Sequence, residues 1–146
     1  MKAKKILVVE DSPDDQELIR MALEDGHIAN EFVALNDGAQ AIDYLFGRGQ
    51  YAGRDLSDSP LVILLDMKLP KVNGLEVLQQ VRADSRTSLI PVVMLTSSNE
   101  EKDIVASYKN GVNSYVRKPV DFNQFMEAVK QLKLYWLILN ETPYKK

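Results

Sequence analysis

Apolar residues along this chain concentrate in five short segments, separated by stripes spaced three and four apart. Ile6 to Val9 and residues 61–65 and 91–95 are apolar runs, and residues 31–35 and 112–116 are mixed segments that also read as strands. A short run that is apolar at nearly every position suits a parallel strand buried on both faces, because a half-wet strand would alternate. The stripes supply the covering helices. Leu18, Ile19, Ala22 and Leu23 share one helical face, Ala41, Ile42 and Leu45 a second, and Leu75, Leu78 and Val81 a third. A fourth helix is predicted to end near Asn110, and a fifth runs from Asp121 to about Leu139 with Phe122, Phe125, Met126, Val129 and Leu132 inward. Start signals agree with these spans. Ser12-Pro13-Asp14-Asp15 has an N-cap, a proline at the first helical position and acids on the positive end of the dipole. Ser98-Asn99-Glu100-Glu101 has the capping-box form, and Asp121 with Gln124 repeats it. Five strands alternating with five helices predict an α/β domain, a doubly wound parallel sheet with right-handed crossovers.

Residues 47–60 break the alternation with Gly, Arg, Asp, Ser and Tyr, and read as a surface insertion longer than most connections. Gly47, Gly49 and Gly53 lack dinucleotide-loop spacing and precede a strand instead of a helix, so nucleotide binding is discarded. At 146 residues the chain fits a single domain spanning 1–146. With 18 basic and 21 acidic residues the net charge of -3 gives no electrostatic case for nucleic acid or an anionic membrane. Zero cysteines remove disulfides and thiolate metal sites. The start lacks a signal peptide's apolar core and no run could span a bilayer, so a cytoplasmic location is expected. His27 has no second imidazole or triad partner and reads as a solvated loop residue.

Chemistry collects where the strands end. Five apolar residues stop abruptly at Asp66, and the first run stops at Glu10 and Asp11, while Thr96 and Lys118 close the fourth and fifth. In an open α/β sheet the carboxyl ends of the strands are where ligands bind. Three carboxylates brought to one pocket repel unless a cation joins them, and an oxygen-only set suits magnesium. A lysine opposite gives a compact positive charge for a phosphoryl group, and a threonine hydroxyl donates one further hydrogen bond. Asp66, at the tip of the central strand, is the best-placed nucleophile if its neighbours hold the metal. A purely structural ion site is the alternative for the three acids.

The segments Val-Val-Glu-Asp-Ser, Leu-Leu-Asp-Met-Lys-Leu-Pro-Lys-Val-Asn-Gly, Met-Leu-Thr-Ser and Tyr-Val-Arg-Lys-Pro together resemble the receiver domain of two-component response regulators. The resemblance covers about residues 4–132. It implies a flavodoxin-like (βα)5 sheet in the order 2-1-3-4-5, with Asp66 phosphorylated from a sensor histidine kinase's phosphohistidine. It also implies that Asp11, Asp66 and the backbone carbonyl of Lys68 hold Mg2+, with Glu10 acting through water. Lys118 and Thr96 would contact the phosphoryl oxygens, the Lys118-Pro119 bond would be cis, and Tyr115 would be the switch aromatic that follows Thr96. Such a protein is a phosphoacceptor with self-catalysed transfer and dephosphorylation, not a turnover enzyme. Glu10 stands where aspartate is commoner, and the 47–60 insertion is longer than in minimal receivers.

The insertion, Glu10 and the tail Leu-Tyr-Trp-Leu-Ile-Leu-Asn-Glu-Thr-Pro further resemble the stand-alone regulators paired with bacterial and cyanobacterial phytochrome kinases. No residues remain for an effector domain, so the expected output is a changed protein surface. Two other functions compete. Aspartate-nucleophile phosphatases carry a second Asp two residues on, where this chain has Lys68. A phosphorylation-independent, receiver-like scaffold would not need the set Asp11, Asp66, Thr96 and Lys118. Residues 134–139 are apolar all round, more than one sheet can cover, so either the tail folds back over the 47–60 loop or, as expected here, a homodimer forms through the C-terminal helix and tail at 133–146.

Overall fold

The computed structural model describes residues 4–25, 30–98, 100–118, 123 and 127. Strand β1 (Ile6–Val9) leads into helix α1 (Pro13–Asp25), and β2 (Phe32–Leu35) into α2 (Gly38–Phe46). A single 3-10 turn, Gly49–Tyr51, interrupts the connection to β3 (Val62–Leu65), which precedes α3 (Gly74–Ala83). The chain continues through β4 (Val92–Thr96), α4 (Glu101–Lys109) and β5 (Ser114–Arg117). All five strands are parallel in the order β2-β1-β3-β4-β5, the doubly wound flavodoxin-like arrangement expected.

The reason for the unbroken runs is visible in the packing. Leu7, Val9, Ile63, Leu65, Val92 and Met94 point to one face, where Ala41, Ile42 and Leu45 of α2 and Val77, Leu78 and Val81 of α3 cover them. Ile6, Val8, Val62, Leu64, Val93 and Leu95 point to the other, against Ile19, Ala22 and Leu23 of α1. In the central strands β1 and β3 both faces are dry and every position is apolar, whereas the edge strands β2 and β5 are only partly buried and β5 carries Ser114 and Arg117. Among the described residues no helix is long and apolar enough to cross a membrane.

The 47–60 segment is not loose irregular chain. Gly47 leaves α2 in the left-handed region (φ 65°, ψ 45°), the usual place for glycine after a helix. Arg54 then folds back. Its Nε donates to the Tyr44 carbonyl at 2.6 Å and its Nη1 to the Asp58 carbonyl at 3.0 Å. Its guanidinium lies 4.2 Å from the centre of the Tyr44 ring, and Tyr51 packs edge-on to the same ring at 5.2 Å. A cation thus caps the carbonyl end of α2 while the segment wraps around it.

One start signal resolves differently from its sequence reading. The N-cap of α4 is Glu100, with no side-chain cap bond, so Ser98 and Glu101 do not form the expected capping box. The Ser98 hydroxyl instead donates to Asp103 Oδ2 at 2.5 Å and accepts the Glu100 N–H at 3.3 Å. A charged carboxylate one helical turn on is the stronger acceptor and takes the hydroxyl proton. His27, the Lys118-Pro119 bond, the fifth helix and the tail lie outside the described residues.

Candidate functional site

Three backbone hydrogen bonds continue the ladder one step past the strand ends and bring the reactive residues side by side. Glu10 N–H donates to Leu35 O at 2.9 Å, Asp66 N–H to Val9 O at 3.0 Å and Lys118 N–H to Thr96 O at 2.6 Å. Asp66 therefore sits beside Glu10, with β4 and Lys118 on its far side.

Glu10 is 2% exposed, Asp66 7% and Thr96 fully buried, whereas Asp11 is open to solvent. Glu10, Asp11 and Asp66 each offer a carboxylate oxygen, and these lie within 4.8 Å of one another. Lys118 Nζ reaches across from β5 to Asp66 Oδ2 at 3.0 Å and pairs with Glu10 Oε1. The other oxygen of Asp66 accepts the Lys68 N–H at 3.1 Å, and Glu10 Oε2 accepts the Ser12 N–H at 3.0 Å. Lys68 itself is exposed at the start of a turn in which Lys71 adopts φ 68°. That turn closes on Gly74, whose N–H donates to Met67 O at 2.8 Å.

Burial pushes the Glu10 carboxyl up to about 7, with the neighbouring charge of Asp66 adding to the rise and the Lys118 and Ser12 hydrogen bonds opposing it. Burial works against the Lys118 ammonium too, but hydrogen bonds to Asp15 and Glu10 and the charge of Asp66 outweigh it and hold its pKa above the ordinary lysine value. The fit to a hard divalent cation follows from this set. Its donors are all oxygen, two of them are buried with their charges uncompensated beyond one lysine, and the third opens to solvent where ion waters can remain.

The structure brings Glu10, Asp11, Asp66 and Lys118 together as the sequence predicts. Thr96 and Tyr115 meet through an intermediary that the sequence reading missed. Thr96 Oγ1 accepts the Ser98 N–H at 3.4 Å, and the Tyr115 hydroxyl donates to the Ser98 carbonyl at 2.8 Å. Burial, first, holds the Tyr115 phenol above its ordinary value. A second residue was missed: Asp15 in the first turn of α1 receives Lys118 Nζ on Oδ2 at 2.8 Å. Its sequence reading was only that of an acid favouring a helix start. Nothing in the local pattern marks a partner 103 residues away.

A doubly wound domain with a carboxylate cluster and one lysine at the carboxyl edge of its sheet defines a class of phosphoryl-handling signalling domains. Residues 6–130 match the response regulator receiver domain family, and the chain belongs to that family. The chain is 41% identical over 138 residues to the probable methanogenesis regulatory protein FilR2 of Methanothrix harundinacea, covering 94% of this chain and 86% of that one. It is 38% identical over 134 residues to the response regulator Rcp1 of Synechocystis, covering 92% and 89%. The Mn2+-bound form of Rcp1 superposes with a TM-score of 0.87 at 36% identity, covering 97% and 99%. The bacteriophytochrome response regulator RtBRR superposes with a TM-score of 0.79 at 55% identity, covering 98% and 85%. The protein is thus a phosphorelay response regulator, whose family partner is a histidine kinase and whose acidic pocket takes a divalent metal.

Proposed function

We propose that Asp66 accepts a phosphoryl group from a kinase phosphohistidine, with Mg2+ held by Asp11, Asp66 and the Lys68 carbonyl and, through water, by Glu10. The observation that carries this is the fixing of both Asp66 oxygens, one by the Lys68 N–H at 3.1 Å and one by Lys118 at 3.0 Å, beside two further carboxylates. An Asp66 oxygen attacks phosphorus, the P–N bond breaks, and its electron pair returns to the imidazole. The divalent ion supplies neutralisation of the charge gathered on the phosphoryl oxygens. Lys118 contributes a second fixed positive charge, and its ion pairs to Glu10 and Asp66 place it before the phosphoryl group arrives. Water attack on the acyl phosphate later restores the carboxylate, so the domain is a self-dephosphorylating acceptor and not a turnover enzyme. Thr96 and Tyr115, both tied to Ser98, read the new charge and alter the surface around α4 and β5.

Purified protein incubated with magnesium and acetyl phosphate should gain one phosphoryl group, mapped by peptide mass to Asp66. No gain from acetyl phosphate or from a cognate kinase overturns the reading and favours the phosphorylation-independent scaffold.

The cognate kinase is a bacteriophytochrome-type sensor in the cytoplasm, a reading supported by the likeness to RtBRR. The chain acts as one receiver domain, 1–146, with 47–60 as its insertion and a homodimer formed through residues 133–146, which lie outside the described residues. Sedimentation of the wild type as a monomer at tens of micromolar concentration overturns the dimer.

Metal dependence is the prediction closest to the site. Saturating magnesium should raise the melting temperature of the wild type by several degrees and leave Asp11→Ala nearly unmoved, because an ion that binds only the native state stabilises by mass action. Glu10 gives the pH dependence. Its pKa is raised from 4.5 to about 7 by burial. Its contribution to metal-free stability is therefore fully present below 4.5 and lost as the pH rises through 7. Over the same window, deprotonation frees the site for a cation, so metal affinity rises. In chelator, Glu10→Gln should become more stable relative to wild type by about 3 kcal/mol between pH 4.5 and 8, measured by urea denaturation. A stability difference that stays flat across that range contradicts it.

A further inference from the structure

Lys118 has more partners than phosphoryl recognition uses. Its ammonium carries three donor hydrogens, and three carboxylates share them: Glu10, Asp15 at 2.8 Å and Asp66 at 3.0 Å. The lysine side chain is 16% exposed, so little room is left for another acceptor. A phosphoryl oxygen on Asp66 gains the lysine only if one of the three gives it up.

The three are not equally easy to displace. Glu10 is 2% exposed, and losing the lysine would strand a buried carboxylate. Asp66 carries the phosphoryl group itself. The side chain of Asp15 is 38% exposed and stands in the first turn of α1, where water and the helix N-terminus can take over its charge. It is also outside the three carboxylates that converge as a metal set. Resting on the phosphoacceptor reading above, we infer that Asp15 is a positioning residue that holds Lys118 in the unphosphorylated state and is exchanged for the phosphoryl group when Asp66 is modified.

Two consequences follow from that exchange. Asp15 competes with the phosphoryl group for one cation, so it weakens the phosphorylated state and sets part of the threshold for switching. Its release also frees the first turn of α1 from Lys118 just past β5, a link that joins residues 103 apart in the chain. Phosphorylation is thereby felt on the α1 side of the sheet as well as at Tyr115 on the α4 side.

Beryllofluoride, which mimics the phosphoryl group on an aspartate, is the probe. With saturating magnesium, calorimetric titration of Asp15→Asn should show binding about five-fold tighter than wild type, since a neutral amide is a weaker competitor for an ammonium than a carboxylate. Asp14→Asn removes the same charge from an exposed neighbour and controls for the general field. In the wild type, the 13Cγ signal of Asp15 should move on beryllofluoride binding and that of Asp14 should not, a reading that needs no substitution to fold. An Asp15→Asn affinity equal to that of Asp14→Asn, or weaker than wild type, overturns the inference, as does a still Asp15 signal. Wild type that takes up no beryllofluoride overturns the phosphoacceptor reading and this one with it, so the two failures are distinct.

Discussion

Asp66→Asn should lose phosphorylation from both acetyl phosphate and a kinase by at least about 10³-fold, because the amide has the shape of the carboxylate but not its nucleophilic oxygen. The fold should survive. The asparagine carbonyl can keep the Lys68 N–H, and the backbone bond from Asp66 N–H to Val9 O is untouched. Intact-mass measurement after incubation with the donor checks the first half, and thermal unfolding the second. A variant that gains one phosphoryl group at wild-type rate places the acceptor elsewhere, with Asp11 the next exposed carboxylate.

Gly74→Ala should be as damaging for a different reason. A Cβ built on Gly74 would lie 2.1 Å from the Asp66 carbonyl oxygen, 2.7 Å from Met67 Cα and 2.9 Å from the Asp66 carbonyl carbon. All three are backbone atoms at the end of β3, so no flexible side chain can yield. Either α3 moves off the sheet or Asp66 moves off its position. Overpacking of this kind costs about 2–4 kcal/mol. A displacement of Asp66 on the order of 1 Å would slow phosphoryl transfer by about 10²-fold even in the molecules that remain folded. Urea denaturation and the phosphorylation rate, measured together, test both halves. A stable Gly74→Ala variant that phosphorylates normally would show that close approach is not what this glycine supplies.

The centre of the sheet was legible because both of its faces are dry, which leaves a run of apolar residues that no half-exposed strand would show. The site was legible because each run ends on a residue whose chemistry the interior cannot use. Glu10, Asp11, Asp66 and Lys118 could be placed together from strand ends alone. Asp15 could not, since an aspartate in a first helical turn has a sufficient local explanation and its second partner comes from the far end of the sheet. Ser98 was misread for a related reason: the sequence offered it a cap, and the fold offered it Asp103. The role of Arg54 depends on aromatic rings and carbonyls of α2, which no spacing rule connects to it.

That arginine bears on how the molecule can be altered. The 47–60 segment joins the end of α2 to the start of β3, so it lies at the edge of the sheet opposite the carboxylates. Arg54 anchors it to its own helix through the Tyr44 and Leu45 carbonyls. At Gly53 an added Cβ would meet no atom within 4 Å. A peptide epitope or fluorescent reporter grafted between Ala52 and Gly53, leaving Arg54 intact, would project into open space while α2 kept its cap. The graft point is thus a handle on the domain that leaves its phosphoryl chemistry free to be watched.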